Sequence, residues 1–348
     1  MKDAAPLVTA LRDPSSTAGL DGAGWTALVA MARAEQLAGT LAERVAGIAK
    51  PDAAERLLAA ARASTDHGRT QALWEAEMAR RALAPLGLPV VLLKGTAYVA
   101  AGLAAGQGRS IGDLDILVPH DRIAEAEAAL LDAGWEWVKP DPYDDEYYRR
   151  WMHELPPLIH RERDRMIDVH HTILPLTARI TPDAGAMIAD SVALENGLRV
   201  LSRDDMICHS AAHLFADGDL AGGLRNLWDI HCLCAELSSS DPEFYLRVYE
   251  RAWEHGLWDA VCRAMRLSNR LFATGAVGYR IPIRVDLSPR LSDRFYLRRL
   301  LARDGWGRAT RPVTRLGFYV RSHWLRMPPL MLAQHLWTKW RKGAPAPG

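Results

Sequence analysis

Residues 109–115 read Arg-Ser-Ile-Gly-Asp-Leu-Asp and run straight into Ile116-Leu117-Val118. Two carboxylates therefore stand one residue apart at the start of an apolar, strand-like run. Side chains alternate faces along a strand, so Asp113 and Asp115 point the same way while Leu114 and Ile116 turn toward the core. Carboxylates held close together repel, and the arrangement is costly unless a cation lies between them. Mg²⁺ suits the place, because this hard cation takes carboxylate oxygens and completes its shell with water and substrate phosphates. A permanent internal cation on either aspartate would remove that need. The segment points to phosphoryl or nucleotidyl transfer.

Asp168, in Met166-Ile167-Asp168-Val169-His170-His171, also sits at an alternating position of an apolar strand. Three acids from two strands would surround a pair of metal ions, with Asp113 and Asp115 bridging them. Asp168 would hold the ion that activates the acceptor, and the other ion would stabilise the leaving pyrophosphate. The bland reading makes Asp168 a turn or surface acid. Lys94-Gly95-Thr96 follows a buried strand and precedes a helix, where backbone N–H groups can cradle phosphate oxygens, although glycine after a strand is also an ordinary turn. Lys94 ends an apolar strand with a cation, which suggests an anion or an acidic neighbour. Arg109, followed by Ser110, is either a triphosphate contact or a solvated loop charge. His170 shares the face of Asp168, beside the metal or the nucleotide, and His171 points the other way.

The elements that must position these groups are legible in outline. Residues 1–83 are Ala-, Leu-, Arg- and Glu-rich with a helical apolar period, the last helix running from about 53 to 83 with a break expected near Asp66-His67-Gly68. Val90-Val91-Leu92-Leu93 predicts a strand buried on both faces. Residues 97–105 have helix-forming composition, Asp121 to Gly134 predicts an amphipathic helix, and Trp135 to Val138 another strand. Residues 139–152, charged and aromatic, are expected to form a loop or lid. Residues 156–161 and 166–173 predict an antiparallel hairpin turning at 162–165, and from Ala184 onward the chain is helical again.

At 348 residues the chain exceeds one ordinary core. The expected division is an N-terminal helical region at 1–84, a catalytic core at 85–180, a C-terminal helical domain at 181–342 and a disordered tail at 343–348. Net charge is +1, which names no partner, but after Asp304 there is no acid, while Arg308, Arg311, Arg315, Arg321, Arg326, Lys339, Arg341 and Lys342 accumulate. With the aromatics of 318–340, this end could meet a membrane surface, an acidic partner or nucleic acid, or simply be a solvated face docked on the core. Cys208, Cys232, Cys234 and Cys262 lack paired zinc spacing. With neither a signal-like start nor an apolar run of membrane length, a cytoplasmic location is the default expectation.

Leu92-Leu93-Lys94-Gly95-Thr96, Arg109-Ser110-x-x-Asp113-Leu114-Asp115-Ile116-Leu117-Val118 and Ile167-Asp168-Val169-His170, in that order and spacing, resemble the uncharacterised nucleotidyltransferase family of the DNA polymerase β-like superfamily. Lys-Gly-Thr is similar to the superfamily's phosphate-binding turn, especially in its abortive-infection toxin branch, though the usual form is Gly-Gly-Ser or Gly-Ser. His153-Glu154-Leu155-Pro156-Pro157-Leu158 echoes a further family segment. The resemblance is most specific over about 90–175. It implies an α+β fold, a polymerase β-like core of mixed sheet with flanking helices between N- and C-terminal helical regions. It also implies Mg²⁺ (two ions, with Mn²⁺ as a substitute) and a nucleoside triphosphate such as ATP as co-substrate.

Taken together, these residues predict transfer of a nucleoside monophosphate to a hydroxyl-bearing acceptor with release of pyrophosphate. Asp113, Asp115 and Asp168 would be catalytic and metal-binding, and Lys94, Gly95, Thr96, Arg109, Ser110 and His170 would hold the nucleotide. The acceptor is open: protein, peptide, small molecule or RNA. Two alternatives stand beside this reading. One is a non-catalytic nucleotide-binding or toxin–antitoxin-type interaction protein of the same fold. The other is a metal phosphohydrolase built on His209, His213 and Asp229, although His209 and His213, four apart, equally suit a partly buried helix.

Overall fold

The computed structural model describes residues 3–239, 241–273 and 288–328, together with 332, 333 and 337. The expected tail at 343–348, and most of the basic aromatic stretch beyond 328, lie outside the described residues. Four helices open the chain: α1 (Ala5–Arg12), α2 (Gly22–Ala34), α3 (Ala38–Arg44) and α4 (Asp52–Leu83). Asp21 caps α2 by accepting from the Gly24 N–H at 2.7 Å. The break expected in α4 does not occur. A lone helical glycine costs only about 1 kcal/mol, and buried Ala54 and Leu58 before it and Ala72, Ala76, Ala79 and Leu83 after it hold the helix to the core on both sides.

The middle of the chain alternates strands and helices: β1 (Val91–Leu92), α5 (Lys94–Ala100), β2 (Leu114–Leu117), α6 (Ile123–Asp132), β3 (Trp135–Trp137), α7 (Pro142–Trp151), β4 (Leu158–His160) and β5 (Met166–His170). After α8 (Ala184–Ala189) come β6 (Val192–Ala193) and β7 (Arg199–Val200), a small hairpin inside the stretch expected to be wholly helical. The sheet order is β3-β4-β5-β2-β1-β7-β6. β2 runs parallel to β5 and β1 to β7, and the other neighbours are antiparallel, so the sheet is mixed and the fold α+β.

The expected loop at 139–152 is instead a helix. Its charges are the reason. Asp141 accepts from the Tyr143 and Asp144 N–H groups at 2.9 and 3.1 Å, and Pro142 fills the first helical position. Asp145–Arg149 and Glu146–Arg150 then pair one turn apart at 2.9 and 2.7 Å. What reads as loop polarity is cap, dipole and side-chain pairing.

Helices α9 (Arg203–Ala212), α10 (Gly223–Leu237), α11 (Phe244–Glu254), α12 (Trp258–Phe272), α13 (Asp293–Leu300) and α14 (Pro312–Arg326) complete the described fold, with a π-turn at His213–Asp217 continuing α9. One buried apolar cluster runs from Ala4 to Phe318 and joins the N-terminal helices, the sheet and the C-terminal helices. Among the described residues no helix is long and apolar enough to cross a membrane.

Candidate active site

β2 and β5 are parallel neighbours, and Asp115 is the register partner of Asp168. Partners on adjacent strands share a face of the pleat, so the sheet itself brings these two carboxyls together. Asp113 stands one alternation earlier, just before β2. One ligating oxygen from each of Asp113, Asp115 and Asp168 lies within 4.8 Å of the other two. Asp113 is exposed and Asp115 only 3% exposed, so the cluster runs from solvent into the sheet.

A cation does sit on Asp115. The Leu93 N–H donates to the Asp115 carbonyl at 3.0 Å, which holds the end of β1 against β2. Lys94 follows with φ +48°, a left-handed conformation that L side chains rarely adopt and that stores strain. The strain aims its Nζ at Asp115 Oδ1, 2.6 Å away. His170 Nε2 donates to the same oxygen at 3.0 Å. Burial alone would raise the Asp115 pKa, but Lys94 and His170 outweigh it and hold the carboxyl well below its usual range. Burial works against the ammonium of Lys94 too, yet Asp115 holds its pKa above the ordinary lysine value.

This pairing does not neutralise the site. Asp115, Asp113 and Glu154 all act on Lys94 and all act on Asp168 as well, so one ammonium faces several carboxyls. The surplus falls on Asp168, whose pKa is pushed up to about 7 by burial and by the charges of Glu154 and Asp115. Its Oδ1 is buried and accepts no hydrogen bond. From α7, Tyr148 feels the same acids, and burial with Glu154 and Asp168 pushes its phenol up to about 12.

An all-oxygen donor set with surplus negative charge and an orphaned buried carboxyl oxygen fits hard divalent cations such as Mg²⁺. Asp113, Asp115 and Asp168 are the residues that would hold them.

A cleft of about 780 Å³ opens beside the acids. Lys94, Gly95, Arg109, Ser110, Asp113 and Asp115 line it from the sheet, facing His209, His213, Arg225, Asp229 and Arg303. Arg109 reaches across to Asp229 at 3.3 Å. Asp229 also accepts from Arg225 at 2.6 Å, and the other arm of Arg225 donates to Thr40 Oγ1 at 2.6 Å, tying α10 to α3. Gly95 permits the approach of Arg109, since a Cβ there would come 2.5 Å from Arg109 Nε. That Nε is buried and has no hydrogen-bond partner.

The structure thus gathers Lys94, Gly95, Arg109, Ser110, Asp113 and Asp115 on one cleft, with Asp168 set beside Asp115. Thr96 and His170 do not line the cleft. Thr96 is 1% exposed within α5, and His170 is buried against Asp115. His209 is buried, which lowers its pKa well below the ordinary value, and burial and the charge of Lys94 bring His213 to about 3. Among the described residues His209, His213 and Asp229 do not form a metal-ligating group, and Asp229 is committed to two arginines. Sequence reasoning missed Tyr98, Tyr148, Arg225 and Arg303 at or beside the site. The contacts of Tyr98 with Ser210, Arg225 with Thr40 and Arg303 with Glu35 span 112, 185 and 268 residues and leave no local signal.

A family model described as an uncharacterised nucleotidyltransferase matches residues 21–273. Two solved structures of ANT(2″)-Ia are similar in part. The crystal structure in complex with adenylyl-2″-tobramycin shares 15% identity over 52% of this chain and 98% of its own, with a TM-score of 0.35. The solution structure of this antibiotic-resistance factor shares 16% identity over 54% of this chain and 97% of its own, also with a TM-score of 0.35. A likeness so slight carries no argument about this chain. No curated protein matches.

Proposed function

The chain belongs to the uncharacterised nucleotidyltransferase family, and on that footing we propose that it moves a nucleoside monophosphate from an NTP to a hydroxyl-bearing acceptor. The acceptor oxygen bonds to the α-phosphorus, the bond to the β-phosphate side breaks, and pyrophosphate leaves. The observation that carries this reading is the register pairing of Asp115 with Asp168, with Asp113 within ligating distance of both.

Asp113, Asp115 and Asp168 are proposed to hold two Mg²⁺ ions, with Mn²⁺ as a substitute. Bound there, such ions lower the pKa of the acceptor hydroxyl and stabilise charge on the pyrophosphate. The chain's own residues do the rest. Lys94 and Arg109, on one wall of the cleft, bind the triphosphate of ATP or another NTP, with Ser110 and the backbone of Gly95 and Thr96 beside them. His170 orients Asp115 through its 3.0 Å hydrogen bond. Asp168, near neutral pKa and without a donor on Oδ1, promotes deprotonation of the acceptor. Helices α9 and α10 shape the acceptor side.

The core is proposed to be the polymerase β-like arrangement at 85–180, between helical regions at 1–84 and 181–342, with β6 and β7 added to the sheet edge from the latter. Val313, Leu316, Val320 and Trp324 form an exposed stripe on α14, proposed as the surface through which the basic end meets a membrane surface or an acidic partner.

Labelled NTPs incubated with Mg²⁺ and an acceptor panel test the reaction. Mg²⁺-dependent release of pyrophosphate that disappears in folded Asp113→Asn supports it. Equal release from that variant refutes it.

A further inference from the structure

Beside Asp115 stands a second group of ligating side chains, chemically unlike the first. His153, Glu154 and His170 each offer one ligand atom within 4.8 Å of the other two. Backbone pairing fixes them there. The Leu155 N–H donates to the Val169 carbonyl at 2.9 Å, the His171 N–H to the His153 carbonyl at 2.9 Å, and Glu154 bridges His170 antiparallel. These bonds lay 153–155 along the edge of β5 and leave the three side chains little freedom to part.

The hydrogen bonding inside the group is incomplete in a specific way. Asp115 Oδ1 accepts from Lys94 Nζ at 2.6 Å, and His170 presents Nε2–H to the same oxygen at 3.0 Å. That leaves the other ring nitrogen of His170, Nδ1. It is buried, has no hydrogen-bond partner, and faces Glu154 Oε2 at 3.4 Å. His153 Nε2 stands 3.9 Å from that same oxygen, and His153 Nδ1 is buried without a partner as well. A cation among the three takes one nitrogen from each imidazole together with the Glu154 carboxylate.

The geometry points to a divalent transition-metal site, of the Zn²⁺ class, held by His153, Glu154 and His170. Two imidazoles and a carboxylate form a recurrent zinc ligand set that leaves a fourth position open. Ligands at tetrahedral zinc distances lie about 3.3 Å apart, close to the separations already present. The hydrogen bond from His170 to Asp115 is the carboxylate–histidine–metal arrangement that fixes a ligand's tautomer and raises its basicity. Its ligands are other residues than Asp113, Asp115 and Asp168, joined to that group through the His170–Asp115 hydrogen bond, and the site does not depend on nucleotidyl transfer.

The test uses the untagged full chain, stripped of metal and titrated with Co²⁺ in excess Mg²⁺, which occupies oxygen-only sites. One equivalent should bind with intense visible absorption of low-coordinate Co²⁺ and be displaced by Zn²⁺. Zn²⁺ should also raise the unfolding midpoint. His153→Ala and the size-conserving Glu154→Gln should each weaken Co²⁺ binding at least about tenfold, and Asp113→Asn should not. No absorption surviving Mg²⁺ overturns the site. So does binding that is lost in Asp113→Asn but kept in His153→Ala, and so does equal binding by all variants.

Discussion

Asp115 and Asp168 are register partners on parallel strands β2 and β5, yet they carry opposite electrostatic fates. Lys94 and His170 hold Asp115 ionised, while Asp168, on the same face, is driven up to about 7 by burial, Glu154 and Asp115 itself. Neighbouring acids with separated pKa values provide one group fixed as an anion and one able to exchange a proton near neutrality.

Lys94 is the counter-charge of the metal-free site. Removing one partner of a largely buried pair leaves an uncompensated charge and costs about 3 kcal/mol. Lys94→Met should therefore lower stability by that order in urea unfolding without metal, and Mg²⁺ should recover much of the loss. A loss independent of Mg²⁺ would show that Lys94 and the ions do not share Asp115.

Asp168 sets a pH dependence. Its folded pKa of about 7 lies above the ordinary 3.8, so the folded chain binds this proton more tightly than the unfolded chain does. Stability from this group is fully present below about pH 4 and is lost as pH rises through 7. The urea midpoint of the metal-free chain should fall across that window, and Asp168→Asn should flatten this part of the profile. Mg²⁺, which requires the ionised form, should bind more tightly as pH rises toward 7. An unchanged profile in the variant would contradict the assignment.

Gly95→Ala places a Cβ 2.5 Å from Arg109 Nε and must move the guanidinium. Losing one charge-assisted contact to phosphate corresponds to roughly a tenfold rise in KM for the NTP. The change in kcat should be smaller, and unfolding should barely shift. Steady-state kinetics of pyrophosphate release measures the split, and an unchanged KM would remove Arg109 from the triphosphate.

Gly108 has φ +60°, and a Cβ there would lie 2.5 Å from the backbone of Gly39, where α3 crosses the approach to β2. Neither backbone at that crossing can yield cheaply. Gly108→Ala should destabilise by about 3 kcal/mol, while Gly22→Ala, with open space around it, should stay within about 0.5 kcal/mol of zero or stabilise. Chemical denaturation of the two variants compares them directly.

What the sequence made legible was local. Asp115 in Leu114 to Leu117 and Asp168 in Met166 to His170 each stand between apolar neighbours, which marked both as strand positions turned away from the core, while their shared face comes from the parallel register of β2 and β5. Residues 142–151 misled because Asp141, Asp145 and Arg149 act as cap and pairs, which in a polar segment look like loop composition. The partner of Lys94 could be named as an acid but not as Asp115, because a contact between strands depends on register. The arginine bridge from Arg225 to Thr40 joins residues 185 apart and leaves no local trace. The hairpin of β6 and β7 has only two residues per strand, too short to show a period.

The central claim is that Asp113, Asp115 and Asp168 jointly hold divalent ions, and Mn²⁺ tests it without requiring the acceptor. Electron paramagnetic resonance of free Mn²⁺, with a non-hydrolysable NTP analogue and Zn²⁺ present to fill nitrogen sites, counts the ions taken up. The account predicts two bound ions in the unaltered chain and loss of at least one in folded Asp113→Asn and in Asp168→Asn. Equal Mn²⁺ uptake by all three proteins would contradict it.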